Sequence, residues 1–113
     1  MRALVGGAVA GVILALAWPV MAQPADVVAH GQQVFQYWCA TCHGRGPGHP
    51  GSDALEAKYH GAKPAVLEDR RDLTPEQVRF FVRHGVTIMP FFRKTEISEV
   101  DLDAIGAYLA RKR

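Results

Sequence analysis

The segment Cys39-Ala40-Thr41-Cys42-His43 constrains this chain more than any other. It holds both cysteines of the sequence, three residues apart, with a histidine directly after the second. Two thiols so spaced near a helix end can each add to a vinyl group of one haem, and the adjoining imidazole is then delivered to the iron. The same residues admit other chemistry. A Cys-x-x-Cys pair serves as a dithiol–disulfide couple, a use that wants the motif between a strand and a helix in an α/β unit. A zinc site would join the two thiolates to two of His43, His49, His60 and His84, but no Cys/His pair stands at zinc-finger spacing downstream. A plain structural disulfide is the remaining use of the pair.

The flanks of the motif read as helix before and loop after. Val27, Val28, Gly31, Val34, Phe35 and Trp38 recur at helical spacing, with Asp26 placed to cap the helix. Gly31 interrupts that stripe at a cost of about 1 kcal/mol relative to alanine, which points to a second backbone coming close at that position. From Gly44 to Gly51 the chain packs four glycines and two prolines into eight residues, a composition that predicts a loop. A short helix is expected over Ala54–Tyr59, since Asp53 and Glu56 have capping-box spacing and Gly61 follows as a stop. Residues 62–72 carry little signal.

Thr74-Pro75-Glu76-Gln77 predicts a helix start, followed by Val78, Phe81 and Val82 and ended by Gly85. Val86 to Thr95 shows no helical period. Ser98 and Asp101 then open a last helix that buries Leu102, Ile105, Tyr108 and Leu109, with acidic residues in its first turn and basic residues in its last. No strand pattern and no repeat is visible, so the fold class is all-α.

Residues 1–22 begin with Arg2, run apolar from Ala3 to Val20 and end on the small residue Ala22, the pattern of a secretory signal peptide. The apolar run falls just short of the ~20 residues of a comfortable membrane span, and Gly6, Gly7, Gly11 and Pro19 weaken it as a permanent helix. Cleavage after Ala22 leaves residues 23–113 as one domain in the periplasm, with no permanent span.

The chain is 49% hydrophobic over 113 residues, but that figure is inflated by the leader. Seventeen of the 55 apolar side chains lie in residues 1–22, which leaves 38 in the other 91. That is lean for a domain only slightly above the ~70–80 residues below which a disulfide, metal or cofactor is usually needed. A buried haem would supply on the order of 10 kcal/mol at ~25 cal/mol per Å². With 13 basic against 11 acidic residues, no nucleic-acid surface is indicated.

A second iron ligand would come from another segment. Met89 is the only methionine outside residues 1–22, and Pro90 restricts it to an extended backbone within an irregular apolar loop. His84 is the other candidate, but reads as a helix-end residue; His30, His49 and His60 read as surface residues. The second ring nitrogen of His43 calls for a fixed acceptor such as a backbone carbonyl, with Pro50 favoured over Pro47 as the residue shaping the loop that presents it.

Together these residues resemble the class I c-type cytochromes: a helix with Gly31 and Phe35, Cys-x-x-Cys-His, a proline-bearing loop, Met89-Pro90, and a last helix with Ala107-Tyr108-Leu109. The resemblance spans residues 26–110. It implies a small fold of three to five helices wrapped around one haem c, bound covalently through Cys39 and Cys42 and ligated by His43 and Met89. It also implies that Gly31 and Phe35 lie against Ile105 and Tyr108. More narrowly, Met89 to Ile97 and Ala104 to Leu109 are similar to cytochrome subunits of flavocytochromes that oxidise 4-alkylphenols, of the p-cresol methylhydroxylase and eugenol hydroxylase type. That likeness implies a flavoprotein dehydrogenase subunit as electron donor.

The expected function is thus single-electron transfer without catalysis, with another cytochrome, a cupredoxin or a terminal oxidase as acceptor. The alternatives are a haem enzyme or sensor with an open axial position, and a thiol oxidoreductase using Cys39 and Cys42. Met89 speaks against the first, and the helix-then-loop context of the motif against the second.

Overall fold

The structure, a computed structural model, describes residues 24–111. The expected signal peptide, residues 1–22, lies outside the described residues, as do Lys112 and Arg113. Five α-helices follow in order: α1 (Pro24–Trp38), α2 (Ala40–His43), α3 (Pro50–Tyr59), α4 (Pro75–His84) and α5 (Glu99–Ala110), with a 3₁₀ turn at Leu67–Asp69 between α3 and α4. Among the described residues there is no sheet, only an isolated bridge between Val86 and Met89. The chain is small and all-α, as its sequence pattern requires.

Two helix starts follow the sequence pattern closely. At α4, the Thr74 hydroxyl accepts from the Gln77 amide at 3.2 Å while the Gln77 side-chain oxygen accepts from the Thr74 amide at 3.0 Å. Each side chain thereby satisfies a donor that a helix start leaves without an intrahelical partner. At α5, the Ser98 hydroxyl accepts from the Asp101 amide at 3.1 Å. Gly85 ends α4 at φ +68°, a left-handed conformation that favours glycine.

Elsewhere the boundaries differ from expectation. The helix α3 starts at Pro50, not Ala54, so the glycine- and proline-rich loop is only residues 44–49. Proline lacks the N–H that a first helical turn leaves without a partner, so Pro50 opens the helix without loss. The Asp53 amide then donates to the His49 carbonyl at 2.9 Å. Asp26 lies within the first turn of α1 instead of capping it. The last turn of α5 contains no basic residue, and Arg111 stands just beyond it.

The core is the crossing of α1 with α5. A Cβ placed on Gly31 would lie 2.0 Å from the Ala104 carbonyl oxygen and 2.9 Å from the Tyr108 Cβ, so only glycine allows the two backbones this approach. One turn on, the Phe35 and Tyr108 rings pack with centroids 5.7 Å apart. Phe35, Ile97, Leu102 and Ile105 are fully buried there. Helix α4 packs on α5 as well, adding Val78 and Val82 to the same cluster. The Tyr108 hydroxyl donates to the Glu68 carboxylate, which fastens the 3₁₀ turn to the core.

Candidate functional site

The Cys39–His43 segment is an extension of the core helix. The Cys39 amide donates to the Phe35 carbonyl at 2.8 Å, and the Cys39 carbonyl accepts from the His43 amide at 2.8 Å. The motif therefore stands on the best-packed part of the molecule. The loop that follows is pinned at both ends. The buried Ser52 hydroxyl donates to the Gly44 carbonyl at 2.8 Å, and the His49 Nδ1 donates to the Thr41 carbonyl at 2.9 Å. Arg45 forms a two-pronged pair with Asp69 at 2.7 and 2.8 Å. At Gly51, a Cβ would meet the Cys42 carbonyl oxygen at 2.7 Å and the His43 Nδ1 at 2.9 Å, so the start of α3 presses directly on the motif.

The facing wall is the turn after α4. Val86 and Met89 exchange amide-to-carbonyl bonds of 3.1 and 2.9 Å, with Thr87 at φ 50° inside the turn. A Cβ on Gly85 would lie 2.5 Å from the Met89 carbonyl oxygen, which reserves that position for glycine on steric as well as conformational grounds. The Phe92 amide donates to the Val82 carbonyl at 2.7 Å, and the Phe92 ring meets Trp38 edge-on at 5.9 Å.

Between these walls lies a cavity of about 440 Å³. Its lining is mainly apolar: Trp38, Pro50, Ala54, Leu55, Val86, Ile88, Pro90 and Phe92, with Lys58 as its one charged side chain. Cys39, Cys42, His43 and Met89, which are the four residues singled out in the sequence, all line it. His84 does not. It stacks on Phe80 at 4.4 Å, with its Nδ1 hydrogen-bonded to the Phe80 carbonyl at 2.7 Å. His30 is exposed and pairs with Asp101 at 2.7 Å, and His60 is exposed at the end of α3. His49, expected on the surface, is instead half-buried against the motif.

The expected carbonyl acceptor for His43 is also absent. Its Nδ1 is buried without a hydrogen-bond partner among the described residues. Pro50, expected to shape the loop that presents such an acceptor, is instead the first residue of α3.

Burial lowers the His43 pKa, which favours the neutral imidazole that a metal requires. Burial, with the neighbouring Cys42 as the lesser cause, pushes the Cys39 thiol up to about 12. Both thiols are free. Cys39 is therefore not the thiolate that would attack in disulfide exchange. Among the described residues no group of three His, Cys, Asp or Glu side chains is gathered as a metal site, so the zinc arrangement is not formed. The cavity offers an imidazole, a thioether and two free thiols on apolar walls, a set that fits a flat apolar macrocycle carrying an iron.

Sequence reasoning missed Arg83. Its guanidinium donates to the Phe92 carbonyl at 3.0 Å, the Ile97 carbonyl at 2.9 Å and the Glu99 carboxylate at 3.0 Å. Two of those partners are backbone carbonyls distant in the chain, which leave no trace in a sequence pattern. A basic residue in the last turn of α4 was the only available signal.

A small all-α fold with Cys-x-x-Cys-His on the wall of an apolar cavity defines a domain related to the c-type cytochromes. The family described as cytochrome c oxidase, cbb3-type, subunit III matches residues 26–109, and the chain belongs to that family. No curated protein and no solved structure matches it significantly. Membership carries a general role in electron transfer, not catalysis, and associates the chain with c-type haem. Among the described residues no helix is long and apolar enough to cross a membrane.

Proposed function

We propose that this chain is an exported monohaem electron carrier, with residues 1–22 as the signal peptide and residues 23–113 as the working domain. Cys39 and Cys42 would hold the haem covalently, and His43 and Met89 would ligate its iron. The observation that carries this reading is the convergence of those four side chains, from two segments remote in sequence, on one apolar cavity.

Each residue has a definable part. Burial keeps His43 neutral, and enclosure of its Nδ1 against Gly51 leaves Nε2 as the nitrogen for the iron. Pro90 and the Val86–Met89 turn fix the backbone behind the Met89 thioether. Trp38, Leu55 and Phe92 keep water out. When bound, the haem supplies a one-electron couple whose potential thioether ligation raises. Held by both His43 and Met89, the iron would have no position left for oxygen, peroxide or substrate.

Electrons arrive from a dehydrogenase, and the likeness of residues 89–97 to flavocytochrome subunits supports a flavoprotein as that donor. They leave to another cytochrome, a cupredoxin or a terminal oxidase, and the oxidase subunit named in the family description supports the last. Ile88 and Phe91, 72% and 62% exposed beside Met89, supply an apolar surface for the brief docking that redox partners use.

Carbon monoxide tests the closed site. The reduced exported protein is expected to bind none at neutral pH, whereas Met89→Ala binds it stoichiometrically. Rapid binding by the unaltered protein would show an open iron and favour a sensor or enzyme.

A further inference from the structure

A thioether on a flexible unbranched side chain stays on an iron only if the backbone behind it is fixed. The segment between α4 and α5 that carries Met89 has neither helix nor sheet to fix it. Its internal bonds are the Val86–Met89 pair, the turn in which the Arg93 carbonyl accepts from the Glu96 and Ile97 amides, both at 3.0 Å, and the Glu96 carboxylate, which accepts from the Arg93 amide at 2.8 Å and from its guanidinium. It is attached to the rest of the domain by the buried Ile97, by the Phe92 ring against Trp38, by the Phe92 amide and by a Lys94–Glu99 pair at 3.5 Å, and Arg83 is the side chain outside the segment that bonds two of its backbone carbonyls.

That side chain is only 15% exposed. Its guanidinium reaches the carbonyls of Phe92 and Ile97, which bracket the descent from Met89 to α5, and the Glu99 carboxylate in the first turn of α5. A planar fork of donors can hold several acceptors in one geometry, which a lysine cannot do. Glu99 is paired with Arg79 and Lys94 as well, so loss of Arg83 would not leave that carboxylate alone. The consequence would fall on the two carbonyls.

We infer that Arg83 is the positioning residue for Met89, clamping the 85–97 segment to α4 and α5 so that the thioether is held at the cavity. This rests on Met89 being the second axial ligand, and the experiment separates the two claims.

The exported holoprotein is compared with Arg83→Gln, Arg83→Lys, Arg79→Gln and Met89→Ala. Two readouts are followed: the long-wavelength absorption band of thioether-ligated ferric haem as pH rises, and carbon monoxide binding by the ferrous form. In Arg83→Gln the band is expected to disappear about one pH unit or more lower, and the ferrous form is expected to bind carbon monoxide at a pressure where the unaltered protein binds none. Arg83→Lys, which reaches one carbonyl at a time, falls between. Arg79 touches Glu99 and Asp103 but neither loop carbonyl, so Arg79→Gln keeps the unaltered band.

An unaltered band and unaltered resistance to carbon monoxide in Arg83→Gln, with the band lost in Met89→Ala, would overturn the role of Arg83 alone. A parent protein without the band, indifferent to Met89→Ala, would overturn the ligand and with it the clamp. If Arg83→Gln does not accumulate, Arg83→Lys decides by the same outcomes.

Discussion

Helices α1, α4 and α5 close on one another, whereas α2, α3 and the turn at 86–92 close around a cavity. In the first half Phe35, Ile97, Leu102 and Ile105 are buried to 1% exposure or less. In the second, α2 has no buried residue and α3 has only Ser52, a polar one. The difference locates the shortage of apolar residues that composition alone leaves diffuse. One half is a packed protein core, and the other is a set of walls around a cavity of about 440 Å³ that the proposed haem would fill.

The most drastic way to break this comparison is to remove both attachment points. Cys39→Ser with Cys42→Ser, produced without bound haem, is expected to lose roughly 5–10 kcal/mol, most of what a small domain has. Hydrogen exchange should show the loss concentrated in residues 39–60 and 85–92, with residues 104–109 slowest to exchange. Uniform protection in that variant would mean that the two halves do not differ in this way.

The closed half has its own point of failure. Gly31→Ala forces a methyl group to within 2.0 Å of the Ala104 carbonyl oxygen, and about 3 kcal/mol of destabilisation is expected as the helices part. Denaturant midpoints measure it, and a loss below about 1 kcal/mol would contradict so close a crossing. Thr74→Ala removes a cap at the edge of that half and should cost about 1 kcal/mol. Neither change should shift the haem spectrum at neutral pH, because neither residue lines the cavity.

The smallest effect is at the surface. Hydrogen bonding to Arg79, and less strongly to Arg83, lowers the Glu99 carboxyl to about 2. A carboxyl with a depressed folded-state pKa contributes stability above its unfolded value, near 4.5, that fades as pH falls toward 2. Glu99 is well solvated, so the contribution is modest. Glu99→Gln should lower the neutral plateau of thermal stability slightly and flatten the acid limb between pH 4.5 and 2, so that the two curves converge at the acid end. An acid limb identical to that of the parent would remove this role from Glu99.

These halves also differ in how far sequence alone discloses them. Local rules locate the caps at Thr74 and Ser98, since cap and partner are three residues apart. Gly31 announces a helix crossing, because no other advantage offsets a glycine inside a helix. The motif at 39–43 and the lone Met89 are legible as chemistry.

What escapes is non-local. The extra turn of α3 is hidden because Pro50-Gly51 reads as loop until Cys42 and His43 are seen pressed against it. The His49 bond to the Thr41 carbonyl and the Arg83 clamp join side chains to distant backbone carbonyls, which every residue possesses and no pattern distinguishes. Pro50 reads as part of the loop in sequence, whereas it opens α3 in the structure, and the His43 Nδ1 has no hydrogen-bond partner among the described residues.

The mass of the exported, purified chain tests the central claim most directly. The expected result is residues 23–113 plus one haem, with the adduct confined to the peptide that contains Cys39 and Cys42 and no thiol left to alkylate. A bare chain carrying two alkylatable thiols, or one lighter by two hydrogens through a disulfide, would contradict it.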